Sequence, residues 1–568
     1  LVLLDCVLAE STFHFALIND SHAVLEPFGP RDETTLEAPI GGYSRAVTIL
    51  DSLRSEHPNI VILHAGDLIT GDFLSQVTLG RGCFQLWMQA GVQAFAVGNH
   101  EFEYGPSLLD SMLGTIDVPL ICANLDAAGF PNLAGSIEPI RFVDYPLESG
   151  DTARIALTGS CTEETDEVGW TAPLDLGNPV TAIDTLGVPE GADVLVDLTH
   201  LDIADDLSGA ALATVSLVLG GHNHSAYPEP EWAASGADST PVVKSGALII
   251  NVGHLTIEKV EDEWRFADWE LIGVNSSVPE SPVAEGLLAA YRDTIASLPE
   301  VGLNPYTDVI FDAESTITYI PRPAGDVGHR DTPLGNLFTD AYLRAAGSDI
   351  GFEALGSLRM HPWIGPVTAA DLFRSQPLGY DPATRLNSKI IQVEMNGMDL
   401  KGALEYTIYA SGLAPEAFPQ FSGTGFEFDD AGPFLNRIDT TSWTVAGLPW
   451  SSAETYTLCS STTLLQALDV LGFPYGAVDT SETTVYEAII DYCRTPDFDP
   501  SDYFWSEGRI TDISTGIAER TPLPDKAGTA FPNPFNSSCR IISSGPGGIY
   551  DISGRLGEKR EGEKSMFS

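Results

Sequence analysis

Ala96-Val97-Gly98-Asn99-His100-Glu101-Phe102-Glu103-Tyr104-Gly105 is the stretch that decides the fold. The mostly apolar run Val92 to Val97 reads as a strand that drives into a glycine. Asn99, His100 and two carboxylates follow before the next glycine. An α/β sheet presents chemistry in this way, at the C-terminal edge of its strands. Upstream, Phe13 to Ile18 ends in Asn19-Asp20-Ser21-His22, and Ile60 to Leu63 ends in His64-Ala65-Gly66-Asp67. Downstream, Val194 to Leu198 runs into Thr199-His200, and Val215 to Leu219 into Gly220-Gly221-His222-Asn223-His224. Five strands thus deliver Asp, Asn or His just beyond their ends. Chance histidines would sit anywhere, so the shared placement points to a metal site.

The pooled candidate ligands are Asp20, His22, Asp67, Asn99, His200, His222 and His224. Imidazoles and carboxylates suit zinc, manganese or iron, and the lack of cysteine argues against a purely structural zinc site. Seven ligands exceed one tetrahedral ion. Two ions sharing a bridging carboxylate fit the number, and such pairs, about 3.5–4 Å apart, activate water and clamp phosphoryl oxygens. Between the ligand-bearing strands, Tyr43 to Arg54 and Phe84 to Gly91 have helical spacing, and Val118 to Cys122 and Arg154 to Leu157 read as further strands.

The chain has 568 residues, too many for one core, so two or three domains are expected. A hydrophobic content of 43% fits a folded protein. The formal net charge of −52 is barely relieved by lysine, which occurs only at Lys244, Lys259, Lys389, Lys401, Lys526, Lys559 and Lys564. Like charges repel, so nucleic acid or an anionic membrane is not the expected partner. The bland reading is a solvated acidic surface; the sharper one is adaptation to high salt. The seven cysteines show no CxxC spacing, and Cys459 with Cys493 is one disulfide open to an exported protein. Leu1 to Ala9 resembles the tail of an apolar signal segment, with a buried first strand as the alternative. No later stretch reaches the roughly 18 apolar residues of a membrane helix.

Taken together, Asp20-Ser21-His22, Gly66-Asp67, Gly98-Asn99-His100-Glu101, His200 and Gly221-His222-Asn223-His224 resemble the motif set of the calcineurin-like metallophosphoesterases. Gly71-Asp72 and the span Gly98 to Gly105 resemble the branch of 5'-nucleotidases, UDP-sugar hydrolases and 2',3'-cyclic phosphodiesterases. The resemblance implies an α/β fold, a four-layer αββα sandwich, followed by a second α+β domain and a small β segment. It implies that Asp20, His22 and His224 bind one divalent ion (zinc, manganese or similar) and Asn99, His200 and His222 the other, with Asp67 bridging. A metal-activated hydroxide would attack phosphorus, and His100 would be the catalytic histidine. The family orients that histidine with an aspartate three residues on; here the position is Glu103. Asp202 and Asp205 read as solvated acids rather than supports of the ligands.

Near residue 275 the strand-and-ligand pattern stops. Val283 to Ile295 reads as a linking helix. Arg330 to Ala341, with Thr332-Pro333 as a helix start, resembles the opening of the family's substrate-binding domain. Leu355-Gly356-Ser357-Leu358-Arg359 and Phe418 to Gly423 resemble two further motifs. Arg359, Arg330, Tyr380 and Asn99 are the substrate-binding candidates; an internal salt bridge is the alternative for either arginine. The family's two base-stacking aromatics are eroded. Tyr380 stands in the first segment, Thr462-Thr463-Leu464 stand at the second, and Phe473 or Tyr475 are the substitutes on offer. That erosion implies a changed or relaxed substrate.

Phe531-Pro532-Asn533-Pro534-Phe535-Asn536 and Tyr550-Asp551-Ile552-Ser553-Gly554-Arg555 resemble the sorting domain of bacterial type IX secretion. The expected organisation is a leader remnant or N-terminal segment (1–12), a metallophosphoesterase domain (13–275), a linker helix (276–305), a substrate-binding domain (306–515), a linker (516–529) and a sorting-like segment (530–568). The resemblance implies a secreted or cell-surface phosphoesterase acting on a nucleotide or related phosphate ester and exported by type IX machinery. UDP-sugar or cyclic-nucleotide hydrolysis, or a binding protein on the same scaffold, are the alternatives.

Overall fold

The computed structural model describes residues 11–515, apart from short stretches at 33–34, 148–149, 164, 166–170, 236–237, 261–262, 323–327 and 413–414. The sorting-like segment, its linker, Cys6, Cys539 and most of the leader-like stretch lie outside the described residues. Ser11 and Thr12 open the first strand, Ser11–Ile18.

Two sheets pack face to face in the first half of the chain. In the seven-stranded sheet, Ser11–Ile18 pairs antiparallel with Asn251–Val260 on one side. On the other it starts a parallel series with Val61–His64, Ala94–Ala96 and Leu120–Ile121. In the six-stranded sheet, Val194–His200 runs parallel to Thr152–Cys161 and Leu217–Gly220.

The period of two along a strand sets the layers. Phe13, Phe15 and Leu17 point inward and join Leu157, Val196, Leu198 and Leu219 of the opposite sheet in one core. Ala16 and Ile18 point outward under helices Tyr43–Glu56 and Arg81–Gln89, packing with Leu50, Phe84 and Trp87. On the far side, Leu195 and Val218 pack under helices Pro179–Leu186 and Ile203–Ala210. The result is the expected αββα sandwich, each buried Val, Leu, Ile or Phe contributing roughly 1.5–3 kcal/mol. Because the central strands of each sheet are parallel, their C-terminal ends share one edge.

The second half is a separate α+β unit with a five-stranded and a four-stranded sheet. Its helix Pro333–Ala346 starts as the sequence suggests. Thr332 Oγ1 accepts the Gly335 N–H at 2.9 Å, Pro333 occupies the first turn where no N–H is needed, and Gly347 ends the helix with φ of 69°. The linking helix, Pro282–Ala296, lies against the first domain, burying Ala284, Leu288 and Ile295 and pairing Arg292 with Glu26 at 2.8 Å.

The two domains join through the segment after Gly71. Asp72 receives Arg374 Nε at 2.6 Å and the Tyr306 hydroxyl at 2.6 Å, and Phe73 stacks on Phe373 at 4.1 Å. Gln76 donates to the carbonyls of Pro377 and Gly379. Cys459 and Cys493 are both buried free thiols, so the disulfide offered by their spacing is not formed.

Candidate metal centre

All seven candidate ligands converge at the shared strand edge. Five of them, Asp20, His22, Asp67, His222 and His224, have φ between 47° and 79°. That left-handed region is strained for residues with a Cβ, and such strain gathers at functional sites. Here it turns each side chain out of its strand line toward a common centre. Gly98 and Gly221 allow the close approach: a Cβ on Gly98 would meet Asp67 Oδ1 at 2.3 Å, and one on Gly221 would meet the Ala65 carbonyl at 2.4 Å.

Asp67 sits in the middle. Its Oδ2 lies 3.0 Å from His200 Nε2 and 3.7 Å from His22 Nε2, while Oδ1 accepts the backbone N–H of His100 at 2.9 Å. His22 Nε2 and His224 Nε2 are 2.9 Å apart, and Asp20 Oδ1 is 3.7 Å from His224 and 3.9 Å from His200. One donor atom from each of Asp20, His22, Asp67 and His224 lies within 4.8 Å of the others. On the other flank His222 Nδ1 is 3.1 Å from Asn99 Oδ1. His200 turns its Nδ1 to the Ala65 carbonyl at 2.7 Å, which leaves Nε2 to the centre.

The donor chemistry fits divalent metal ions. Burial drives His22, His222 and His224 well below the usual histidine range, so these rings are neutral, the form that binds metal. Burial would raise Asp67, but His200 and His100 outweigh it and hold the carboxyl well below its usual range. Burial also opposes charge on His200, yet Asp67 and Asp20 overcome it and raise that ring to about 9. The carboxylates that favour a proton on His200 are the same groups that would attract a cation to the centre.

His100 stands beside this cluster. Its Nδ1 meets Glu103 Oε2 at 2.9 Å, so the longer glutamate reaches the ring. Burial opposes charge on His100, but Asp67 and Glu103 outweigh it and raise its pKa; burial likewise opposes charge on Glu103, and His100 and Arg359 lower it. Arg359 is buried and acts electrostatically on His22, His100, Glu103 and His224, so the second domain turns a cation toward the centre. Tyr380 packs on Tyr104 at 5.2 Å, next to the same stretch. Arg330 is elsewhere: it donates to Asp512 at 2.8 Å, the internal salt bridge left open as its alternative. Phe473 packs on the face of helix Gly397–Ser411, near Gly402 and Tyr406, and Tyr475 donates to Asp469.

Two supports were not legible in advance. Glu101, 2% exposed, accepts the N–H groups of Gly98 (2.7 Å), Asp67 (3.0 Å) and Leu68 (2.7 Å), tying two ligand loops together. Lys244, fully buried, donates to the carbonyls of Leu201 (2.7 Å) and Gly221 (2.6 Å) and pairs with Asp206 at 2.6 Å. It thereby links the loops of His200 and His222. Asp206, not Asp202 or Asp205, is the buried acid of its helix, and it also accepts Thr199 Oγ1. The only sequence signal for Lys244 was its rarity: a lysine between apolar runs in a chain nearly without lysine.

Comparison with known proteins agrees with this geometry. Residues 13–226 match the calcineurin-like phosphoesterase model, and residues 314–474 match the 5'-nucleotidase C-terminal domain model. The chain is 24% identical over 430 residues to the trifunctional nucleotide phosphoesterase protein YfkN of Bacillus subtilis; the match covers 69% of this chain and 28% of that protein. It is 24% identical over 447 residues to a 5'-nucleotidase of Diplobatis ommata, covering 74% of this chain and 75% of that protein. A 5'-nucleotidase precursor from Thermus thermophilus superposes with a TM-score of 0.71 at 23% identity, over 89% of this chain and 100% of that one.

Proposed function

We propose, for a chain that belongs to the calcineurin-like phosphoesterases carrying a 5'-nucleotidase C-terminal domain, that it is an exported two-metal hydrolase of nucleotide phosphate esters. The observation that carries the reading is Asp67. One carboxylate oxygen is shared between His22 and His200, which belong to different ligand groups, while the other is pinned by a backbone N–H. A carboxylate so held is suited to bridge two ions. Asp20, His22 and His224 would hold one ion and Asn99, His200 and His222 the other; zinc and manganese both suit these donors. When bound, such a pair supplies Lewis acidity to a phosphoryl oxygen and lowers the pKa of water.

The chain's own residues account for the rest. Glu103 engages Nδ1 of His100, a contact that would direct Nε2 toward substrate oxygens. The raised pKa keeps a proton available there for the leaving oxygen. Arg359 suits a bidentate grip on the phosphate, and Tyr380 beside Tyr104 offers a ring to a base. No described helix is long and apolar enough to cross a membrane. The test is hydrolysis of AMP (read as phosphate), of a UDP-sugar (read as UMP) and of bis-p-nitrophenyl phosphate (read as p-nitrophenol), with wild type and Asp67→Ala. AMP turnover that vanishes in Asp67→Ala supports the reading; turnover of none of the three by metal-loaded wild type refutes it.

A further inference from the structure

The sequence has eleven histidines. Six of them, His22, His64, His100, His200, His222 and His224, are in or directly behind the metal centre. Three of the other five meet in a second cluster that the proposed reaction does not use: His14, His57 and His254. His14 lies on strand Ser11–Ile18, His254 on the neighbouring strand Asn251–Val260, and His57 caps the C-terminus of helix Tyr43–Glu56. His14 precedes Asp20 by six residues, so the cluster is about 20 Å from the catalytic edge along an extended strand.

The three rings form a compact triangle. His14 and His57 stack with centroids 3.6 Å apart and planes at 18°; His57 and His254 are 5.2 Å apart, and His14 and His254 5.4 Å apart. One nitrogen from each ring lies within 4.8 Å of the other two. His14 Nδ1 and His254 Nε2 are 3.2 Å apart. Two nitrogens at the usual distance from one tetrahedral zinc ion stand about 3.3 Å apart, so that pair is already at ligand spacing. All three residues are half-buried, and the stacked His14 and His57 rings would swing apart to aim a nitrogen each at one ion. The surroundings are acidic. Glu270 faces His254 across the strand pair, Asp268 faces the next position on the same face, and the charges of Glu270, Asp268 and Glu56 reach His254.

We propose that His14, His57 and His254 form a third, peripheral metal site for a borderline-soft divalent ion of the zinc, copper(II) or nickel class. Three imidazoles without a thiolate select that class over magnesium or calcium. The acidic neighbours favour a dication there. The site joins the first strand, the end of the first helix and the returning strand, so a bound ion clamps the sandwich edge opposite the catalytic one and stabilises the folded state by mass action.

The test uses the full chain, stripped with a chelator and reloaded with zinc, as wild type, His57→Ala and His254→Gln. None of these residues belongs to the catalytic machinery. Calorimetric titration with elemental analysis should show one zinc equivalent fewer in each variant than in wild type. Phosphate release from AMP should stay within about twofold of wild type at saturating metal. Added zinc should raise the unfolding midpoint of wild type more than that of either variant. Copper(II) should show nitrogen splitting from three imidazoles in wild type alone. Equal zinc stoichiometry in all three proteins overturns the site. Loss of hydrolysis in the variants would also overturn it as a peripheral site, whereas inactivity of wild type bears only on the catalytic reading.

Discussion

Glu101→Gln isolates the support beneath the ligand loops. Glu101 Oε2 takes the N–H groups of Gly98 and Asp67, and Oε1 takes that of Leu68. Glutamine keeps the shape. With its amide oxygen at the doubly used position, its NH2 group faces the Leu68 N–H, donor against donor. A lost charge-assisted bond and an unsatisfied buried donor together cost about 2 kcal/mol or more. If the Gly66–Asp67 turn relaxes to relieve that clash, the Asp67 carboxylate leaves its place. Two kcal/mol is about 30-fold in an equilibrium constant, within the roughly 10- to 100-fold range for groups that orient metal ligands. Metal titration of stripped protein should therefore show affinity down about 30-fold, with phosphate release restored toward wild type by excess metal. The unfolding midpoint should drop by about 4–8 °C, taking 2–4 °C per kcal/mol. Wild-type metal affinity with a wild-type rate in Glu101→Gln would refute the assigned role. Destabilisation with unchanged metal affinity would refute its coupling to the ligands.

Lys244→Met leaves Asp206 buried without its cation and should cost about 3–5 kcal/mol, with weakened metal binding as the loops of His200 and His222 separate; melting and metal titration check this. Arg374→Ala strands Asp72, 1% exposed, at the domain interface and should cost a similar ~3–5 kcal/mol, read by earlier protease cleavage between the domains. Glu103→Asp should retain most activity, whereas Glu103→Ala should lower kcat and move the limb of the pH profile that needs protonated His100 toward acid, because a charge that raised its pKa is gone. Arg31 meets Asp371 at 2.5 Å, and although burial opposes charge there, Arg31 holds the carboxyl below its usual value. A depressed folded value means stability that is full above the ordinary aspartate range and is lost as pH falls through the folded pKa. Arg31→Ala should thus lower stability at neutral pH and flatten its further loss below about pH 4, measured by denaturation at a series of pH values.

The sandwich and the convergence of the candidate ligands were legible because both are local. A strand announces itself by an apolar run of a few residues, and its ligand follows within two or three positions. The pairing of Asp67 with His200, 133 positions later, was reached only through the family pattern, yet each partner was marked by its own strand end. Supports made across the chain carried no such mark. Lys244 reaches back to Leu201 and Gly221, and Asp206 hides one residue beyond the acid expected to be solvated, because helix phase rather than residue type decides which acid is buried. Arg330 and Arg359 looked alike in sequence. Which one faces the centre depends on the neighbouring strand Ile510–Asp512, which brings Asp512 to Arg330. The cysteine spacing carried no information about distance, and Cys459 and Cys493 stay apart.

Manganese electron paramagnetic resonance of the stripped and reloaded chain, wild type beside Asp67→Ala, bears most directly on the bridged pair. Manganese favours the oxygen-bearing centre over an all-imidazole cluster. Wild type should take up two equivalents with the exchange-coupled spectrum of ions about 3.5–4 Å apart, and Asp67→Ala should lose both the coupling and phosphate release. A spectrum of isolated ions in active wild type, or a coupled pair that survives in Asp67→Ala, would contradict Asp67 as the bridge.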